Sequence, residues 1–402
     1  MTNEMIAILV FLVSFLVSML VYPRALRFAK KHDIVDNPNA RKLQRVPVPV
    51  FGGVVVFTGI LVGWLVLALF MKSEVLSWGL AAMSVMLLIG IWDDMKDISA
   101  LLRLVIEIVL LVAFIALTGI YVDDLHGLWG IHELEPWVGI SLSVFAGLGA
   151  INAVNMIDGV DGYSSGYGML SSACVALAFW HVWNPVVICL AVIVIGAILP
   201  FFLHNVFGAK SKMFIGDSGT LMLGMLLVVM ALYSLSSKNN LVKLEERGMC
   251  VTAFVVAVGC IPLFDTVRVM TMRILRGKSP FHPDKTHLHH LFIDMGFSHL
   301  GAALTILSMN IGIVLLWLLS WQLGASMDVQ MYVVALLGML MTFGFYKLMK
   351  TQQNSGPVDE EGYPQGTRLW HIMLKVGEMT HREKTRFWRV TRYLMDGPFM
   401  GG

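Results

Sequence analysis

Charge is what this chain has least of. Lys, Arg, Asp and Glu make up 14% of its 402 residues while 57% are hydrophobic, and the mean hydropathy is +0.75. That balance excludes both a water-soluble globular domain and a disordered chain. Cysteine is scarce: Cys174, Cys189, Cys250 and Cys260 fall in or beside apolar stretches with no Cys-x-x-Cys spacing. They read as small hydrophobes, which leaves no disulfide or zinc framework. Neither a repeat, a coiled coil nor a nucleic-acid-binding pattern is visible, so no nucleic acid is expected as a partner.

What the chain has instead is long apolar runs. A spanning helix needs about 20 mostly apolar residues, and eleven runs qualify: 4 to 22, 52 to 70, 75 to 92, 100 to 120, 137 to 155, 166 to 183, 185 to 202, 219 to 235, 249 to 267, 300 to 321 and 329 to 348. The first lacks a basic start and a small-residue cleavage site and reads as a span, not a cleavable signal. The sequence predicts an all-α polytopic integral membrane protein with about eleven transmembrane helices. Residues 1–350 form the transmembrane domain and 351–402 a basic tail. That tail mixes Trp370, Met373, Leu374, Phe387, Trp388 and Val390 with Lys and Arg, as helices on an anionic membrane surface do.

Orientation follows from the basic residues. Arg24, Arg27, Lys30, Lys31, Arg41, Lys42 and Arg45 lie between the first two runs, which places that loop in the cytoplasm, the N-terminus outside and the C-terminus inside. Eleven crossings then put 25 of the 29 Lys and Arg on the cytoplasmic side, leaving Lys72, Lys238, Lys243 and Arg247 outside. The loop 236 to 248 fits least well. The loop 121 to 136, with Asp123, Asp124, His126 and His132, falls on the outer side and reads as a solvated connection.

The same alternation brings four polar clusters to one side. They are Asp93-Asp94 with Asp97, the segment Asn152 to Gly162 with Asn155, Asp158 and Asp161, the Gly-Asp-Ser-Gly of residues 216 to 219, and the segment 268 to 299. Carboxylates at membrane depth are costly and usually mark function. Mg2+ takes carboxylate, amide, water and phosphate oxygens, which makes Asp217 and Asn155 its candidate ligands. Asp217 also opens the eighth run, where a helix N-terminus favours an anion such as a metal-bound diphosphate; a plain N-cap at Asp217 or Ser218 is the simpler reading. Asp93 and Asp94 are adjacent, so they are not expected to point at one ligand. At a helix C-terminus their charge opposes the macrodipole, and a cation would relieve it. Arg103, at the start of the fourth run, suits a lipid phosphate at headgroup level or simply snorkels. Four of the twelve His, at 282, 287, 289 and 290, sit within nine residues beside Arg268, Arg273, Arg276 and Lys278. A zinc site lacks companion ligands there, whereas phosphate and nucleotide binding fits His and Arg together.

In their order and positions, Asp-Asp-x-x-Asp, Asn-Ala-x-Asn-Met-Ile-Asp-Gly-x-Asp-Gly, Phe-Ile-Gly-Asp-Ser-Gly and His-Leu-His-His resemble the polyprenyl-phosphate N-acetylhexosamine-1-phosphate transferases. The WecA-like branch is nearer than the MraY branch, since the motif is His-x-His-His and not three consecutive His. The resemblance runs from about Asp33 to Phe292. It implies a bacterial inner-membrane enzyme with a cytoplasmic site that moves a sugar 1-phosphate from a UDP-sugar, GlcNAc above all, to undecaprenyl phosphate, with release of UMP. Mg2+ or Mn2+ would be the cofactor. By motif, Asp93, Asp94 and Asp217 are the catalytic acids, and Asp217 with Asn155 serves metal and diphosphate. Asp158 and Asp161 belong to the uridine, Arg103 to the lipid phosphate, and Asn205, Arg273, His287, His289 and His290 to the nucleotide-sugar side. A covalent carboxylate intermediate and direct attack by the lipid phosphate both stay open, as do a homodimer, another UDP-N-acetylhexosamine or MurNAc-pentapeptide donor and, as a different class, a transporter. Gln44 departs from the family, many members of which carry His there. The Pro47 to Gly53 segment matches it and reads as a rigid lead into the second helix.

Overall fold

The computed structural model describes every residue except 39–43, 45, 97, 240, 281–283, 355–367, 382–385 and 398–402. Arg41, Lys42, Arg45, Asp97 and His282 therefore lie outside the described residues.

Each apolar run folds as a helix. In chain order these are α1 (Asn3–Lys31), α2 (Gly52–Leu67), α3 (Glu74–Lys96), α4 (Ala100–Thr118), α5 (Pro136–Met156), α6 (Tyr163–His181), α7 (Pro185–Phe207) and α8 (Gly216–Leu235). There follow α9 (Val242–Glu245), the pair α10 (Val251–Val258) and α11 (Cys260–Leu275), α12 (Leu288–Asp294), α13 (His299–Gln322), α14 (Met327–Met339) and α15 (Phe345–Asn354), the last two joined by a π-helical turn. The tail adds α16 (Arg368–Thr380) and α17 (Arg386–Met395). Sheet is confined, among the described residues, to two paired strands, β1 (Val35–Asp36) and β2 (Val48–Pro49).

Among the described residues eight helices are long and apolar enough to cross a membrane, or nine if the bent pair α10–α11 is one span. The other two runs are α2, with 16 residues, and α6. Ser164, Ser165, Ser171 and Ser172 of α6 are buried, so this helix turns hydroxyls to its neighbours, which lowers its hydropathy. Among the described residues, length and composition alone thus mark eight or nine of the eleven runs as spans, α2 being short and α6 rich in hydroxyls.

Local chemistry sets the helix ends. Ser99, Asn184, Ser298 and Ser326 cap α4, α7, α13 and α14 by accepting an N–H of the first turn. Gly119 ends α4 in the left-handed region at φ 64°. The break at Gly259 bends α10 from α11 by 71°. Asn310 of α13 repairs it, its Oδ1 accepting from Ile261 N (2.9 Å) and its Nδ2 donating to Val258 O (3.0 Å). Freed backbone groups at membrane depth need such a partner.

α8 is the most enclosed span, 78% of its apolar window being buried against 22% for α4. Small residues let other backbones reach its first turn. A Cβ on Gly53 of α2 would lie 2.4 Å from Gly219 N, and one on Gly90 of α3 2.3 Å from Ser218 Cα. The loops sort to two ends. At one end Asp123 binds Ser237, Lys238 Nζ binds Gly119 O, and Trp321 Nε1 donates to Arg247 O. The four polar clusters meet at the other end.

Candidate active site

A cavity of about 360 Å3 opens at that second end. Asp93 and Asp94 from α3, Asn155, Asp158, Asp161 and Ser164 around the α5–α6 turn, Asn205 from α7, and Phe214 to Asp217 leading into α8 form its walls. His290, His299, Asp36 and Gln44 close the rim. Gln44 Nε2 donates to Asp36 Oδ2 (2.6 Å), so the position that departs from the family is part of the wall. The Pro47–Gly53 segment does brace α2: Gly52 N donates to Phe214 O and Gly53 N to Ile215 O, both at 2.9 Å.

The adjacent acids diverge. Asp94 reaches across to α8, its two oxygens accepting from Asp217 N (2.8 Å) and Ser218 N (3.1 Å). Two of the free amides at the start of α8 are thus taken by Asp94, and neither Asp217 nor Ser218 is its N-cap. The N-terminus of α8 already holds one carboxylate, as its dipole favours. Asp93 turns to α4, accepting from Ile98 N (2.9 Å) and from Arg103 Nη1 (3.1 Å). The strain of two acids at one helix C-terminus is relieved by a guanidinium on one side and a helix N-terminus on the other.

Arg103 is not among the residues that line the cavity. Its Nε lies 3.8 Å from Glu107 Oε1, one turn along α4, and Glu107 Oε2 accepts from Asn152 Nδ2 (2.7 Å). The guanidinium is the hinge of an internal network and not an open phosphate clamp. Asn155 stands where its amide is fully satisfied with Nδ2 donating to Asp217 Oδ1 and Thr220 Oγ1 (2.7 Å each) and Oδ1 accepting from Arg103 Nη1 (3.2 Å). Asp217 and Asn155 are therefore neighbours, as a shared role requires.

Asp158 accepts from Ser164 Oγ (2.7 Å). Desolvation in the cavity, then the charges of Asp161 and Asp94, push its carboxyl up to about 7. Burial works the same way on Asp161, but His299 and Lys212 outweigh it and hold that carboxyl below its usual range. Lys212 Nζ is 2.6 Å and His299 Nδ1 3.0 Å from Asp161 Oδ2. Asn205 ties Gly162 N (2.8 Å) to Met213 O (3.0 Å).

The histidine segment divides. His290 faces the cavity, whereas His287 is buried with Nδ1 2.9 Å from Asp265 Oδ2. His289 stacks beside His287 and fills the space that Gly159 leaves, its Nε2 lying 2.0 Å from where a Cβ would be. Burial lowers His289 well below the ordinary imidazole value and His290 to about 4, so both are neutral at neutral pH. Arg273 binds Asp284 through two nitrogens at 3.0 Å and donates to Pro280 O (2.7 Å). It braces the loop before α12 and does not line the cavity.

Sequence reasoning missed Lys212, His299, Glu107 and Asp265. The last two carried a signal, being acids inside apolar runs. Lys212 and His299 carried none, each a lone residue in a short connection.

Among the described residues no three His, Cys, Asp or Glu form a ready metal cage. Mg2+ does not ask for one: it is held by one or two carboxylates with phosphates and water. The oxygen donors fit it, and the cavity's acids outnumber the cations beside them.

Residues 76–235, which carry Asp93 through Asp217, match the family model described as glycosyl transferase family 4. The chain is 32% identical over 278 residues to the undecaprenyl-phosphate alpha-N-acetylglucosaminyl 1-phosphate transferase of Escherichia coli (strain K12), covering 68% of this chain and 73% of the relative. It is 30% identical over 306 residues to the enzyme of the same name from Yersinia pestis, covering 74% and 78%. A probable undecaprenyl-phosphate N-acetylglucosaminyl 1-phosphate transferase of Bacillus subtilis (strain 168) is 28% identical over 306 residues, covering 76% and 82%.

Proposed function

This chain belongs to glycosyl transferase family 4, among the polyprenyl-phosphate N-acetylhexosamine-1-phosphate transferases, and we propose that it moves GlcNAc 1-phosphate from UDP-GlcNAc to undecaprenyl phosphate and releases UMP. The observation that carries the reading is the convergence of Asp93, Asp94, Asn155, Asp158, Asp161 and Asp217 on one cavity. GlcNAc is chosen because the relatives' names specify it. The membrane would be the bacterial inner membrane, with eleven crossings, the N-terminus outside, and the cavity and the C-terminus in the cytoplasm.

In the reaction, an oxygen of the lipid phosphate attacks the β-phosphorus of the UDP-sugar, and the bond to the bridging oxygen breaks as UMP leaves. Asp217 would hold Mg2+, joined by Asn155 once its amide is turned so that Oδ1 and not Nδ2 faces Asp217, and the metal would neutralise charge on the diphosphate and on the leaving UMP. Direct attack is favoured by the state of two of the acids: both oxygens of Asp94 and both of Asp93 are engaged by N–H donors, which weakens each as a nucleophile. Asp158, near 7, is placed to take a proton from the attacking phosphate at neutral pH. Asp161, kept ionised by Lys212 and His299, and the neutral His290 would orient the nucleotide.

Purified protein given undecaprenyl phosphate, Mg2+ and a panel of UDP-sugars tests this by UMP release. Release with UDP-GlcNAc that stops in excess EDTA is expected. Release with UDP-MurNAc-pentapeptide alone, or an undiminished rate in EDTA, would overturn the donor or the metal.

A further inference from the structure

The tail closes on the loop that feeds the cavity wall. α17 lays Trp388 against Phe207 at the end of α7, ring centroids 4.8 Å apart. The turn after it brings Asp396 over residues 209–211. Its Oδ1 accepts from Lys210 N and Ser211 N (3.0 Å each) and from Ser211 Oγ (2.8 Å), and its Oδ2 from Ala209 N (3.0 Å). Three successive N–H groups on one carboxylate make an anion nest, and such charge-assisted bonds are the stronger kind. The three residues lie between α7 and α8, outside any helix or strand.

One residue on, the same loop is wired to the site. Lys212 Nζ binds Asp161 (2.6 Å), Met213 O accepts from Asn205 (3.0 Å), and Phe214 N donates to Pro49 O (2.8 Å). Phe214 to Asp217 are cavity wall. Ser211 itself is fully buried, and its carbonyl accepts from Tyr22 Oη (2.7 Å).

The geometry points to Asp396 as a positioning residue for the sugar nucleotide: the tail's carboxylate fixes the loop 208–215 and, through Lys212 and Asn205, sets Asp161 and the adjoining wall. The identity of that substrate rests on the transferase reading above. Asp396 touches no substrate and acts through the loop. A contact that served only the fold would change the amount of active protein and its melting temperature, not one Michaelis constant.

The test compares full-length wild type with Asp396→Ala, Asp396→Asn and Asp396→Glu in detergent. Losing the nest should raise KM for UDP-GlcNAc on the order of tenfold in Asp396→Ala, with Asp396→Asn between it and wild type and Asp396→Glu recovering much of the loss. KM for undecaprenyl phosphate should stay within about twofold, and amide hydrogen exchange at 209–211 should accelerate at least tenfold. Unaltered exchange would overturn the proposal, and so would faster exchange with an unchanged KM or equal changes in both Michaelis constants. If the wild type releases no UMP from any UDP-sugar, the transferase reading fails instead. The clamp is then decided by exchange alone, at 209–211 and around Lys212, which needs no substrate.

Discussion

Asp94, at the C-terminal end of α3, holds the first turn of α8: its carboxylate accepts the N–H groups of Asp217 at 2.8 Å and Ser218 at 3.1 Å. One acid thereby positions another, because the turn it captures carries Asp217 into the cavity. The contact also explains why Gly90 must lack a side chain, its Cβ position being 2.3 Å from Ser218 Cα.

Asp94→Asn is expected to lower turnover at least tenfold while changing UDP-GlcNAc affinity little. The amide offers one acceptor where two are needed, and a lost helix cap costs about 0.5–2 kcal/mol. Steady-state kinetics and a melting curve check it. A matched loss of UDP-GlcNAc affinity would move Asp94 to the nucleotide side.

Arg103→Ala should destabilise the protein by about 1.5–3 kcal/mol, because it removes a charge-assisted hydrogen bond from Asp93 and leaves the buried Glu107, still held by Asn152, without its nearby cation. Adding Glu107→Gln should restore most of the melting temperature but not the turnover, since Asp93 still lacks its guanidinium. A double variant as unstable as Arg103→Ala would show that Glu107 is not the cause. A raised KM for undecaprenyl phosphate in that stable double variant would return Arg103 to the lipid phosphate.

The acidic clusters were legible because the distribution of Lys and Arg put Asp93, Asp94, Asn155, Asp158, Asp161 and Asp217 on one side before any contact was known. Their partners were not. Asp94 meets Ser218 across 124 positions, and a cap made at that separation leaves no local pattern. Arg103 reads the same from sequence whether it faces lipid or Glu107. The break at Gly259 had a local signal, a glycine three residues before Pro262, but its repair by Asn310 joins two distant runs.

Acid should destabilise the protein through the histidine segment. His289 and His290 have folded pKa values below the unfolded 6.5, His290 near 4. The unfolded chain therefore binds protons that the folded one refuses, and stability is lost as pH falls from about 6.5 to 4. His290→Gln should flatten the melting temperature across that window. A slope unchanged by the substitution would assign the acid sensitivity elsewhere.

Direct attack predicts no exchange of labelled UMP into UDP-GlcNAc without undecaprenyl phosphate. Exchange in the lipid's absence would require a covalent intermediate on the protein and would free one of the acids from its N–H donors.

The central claim is that the bond broken is in the diphosphate, and position-specific labelling tests it most directly. UDP-GlcNAc labelled with 32P at the β-phosphorus should transfer its label to the lipid, while the α-label should leave in UMP. A β-label recovered in UDP would mean transfer of the sugar without its phosphate, and would contradict the account.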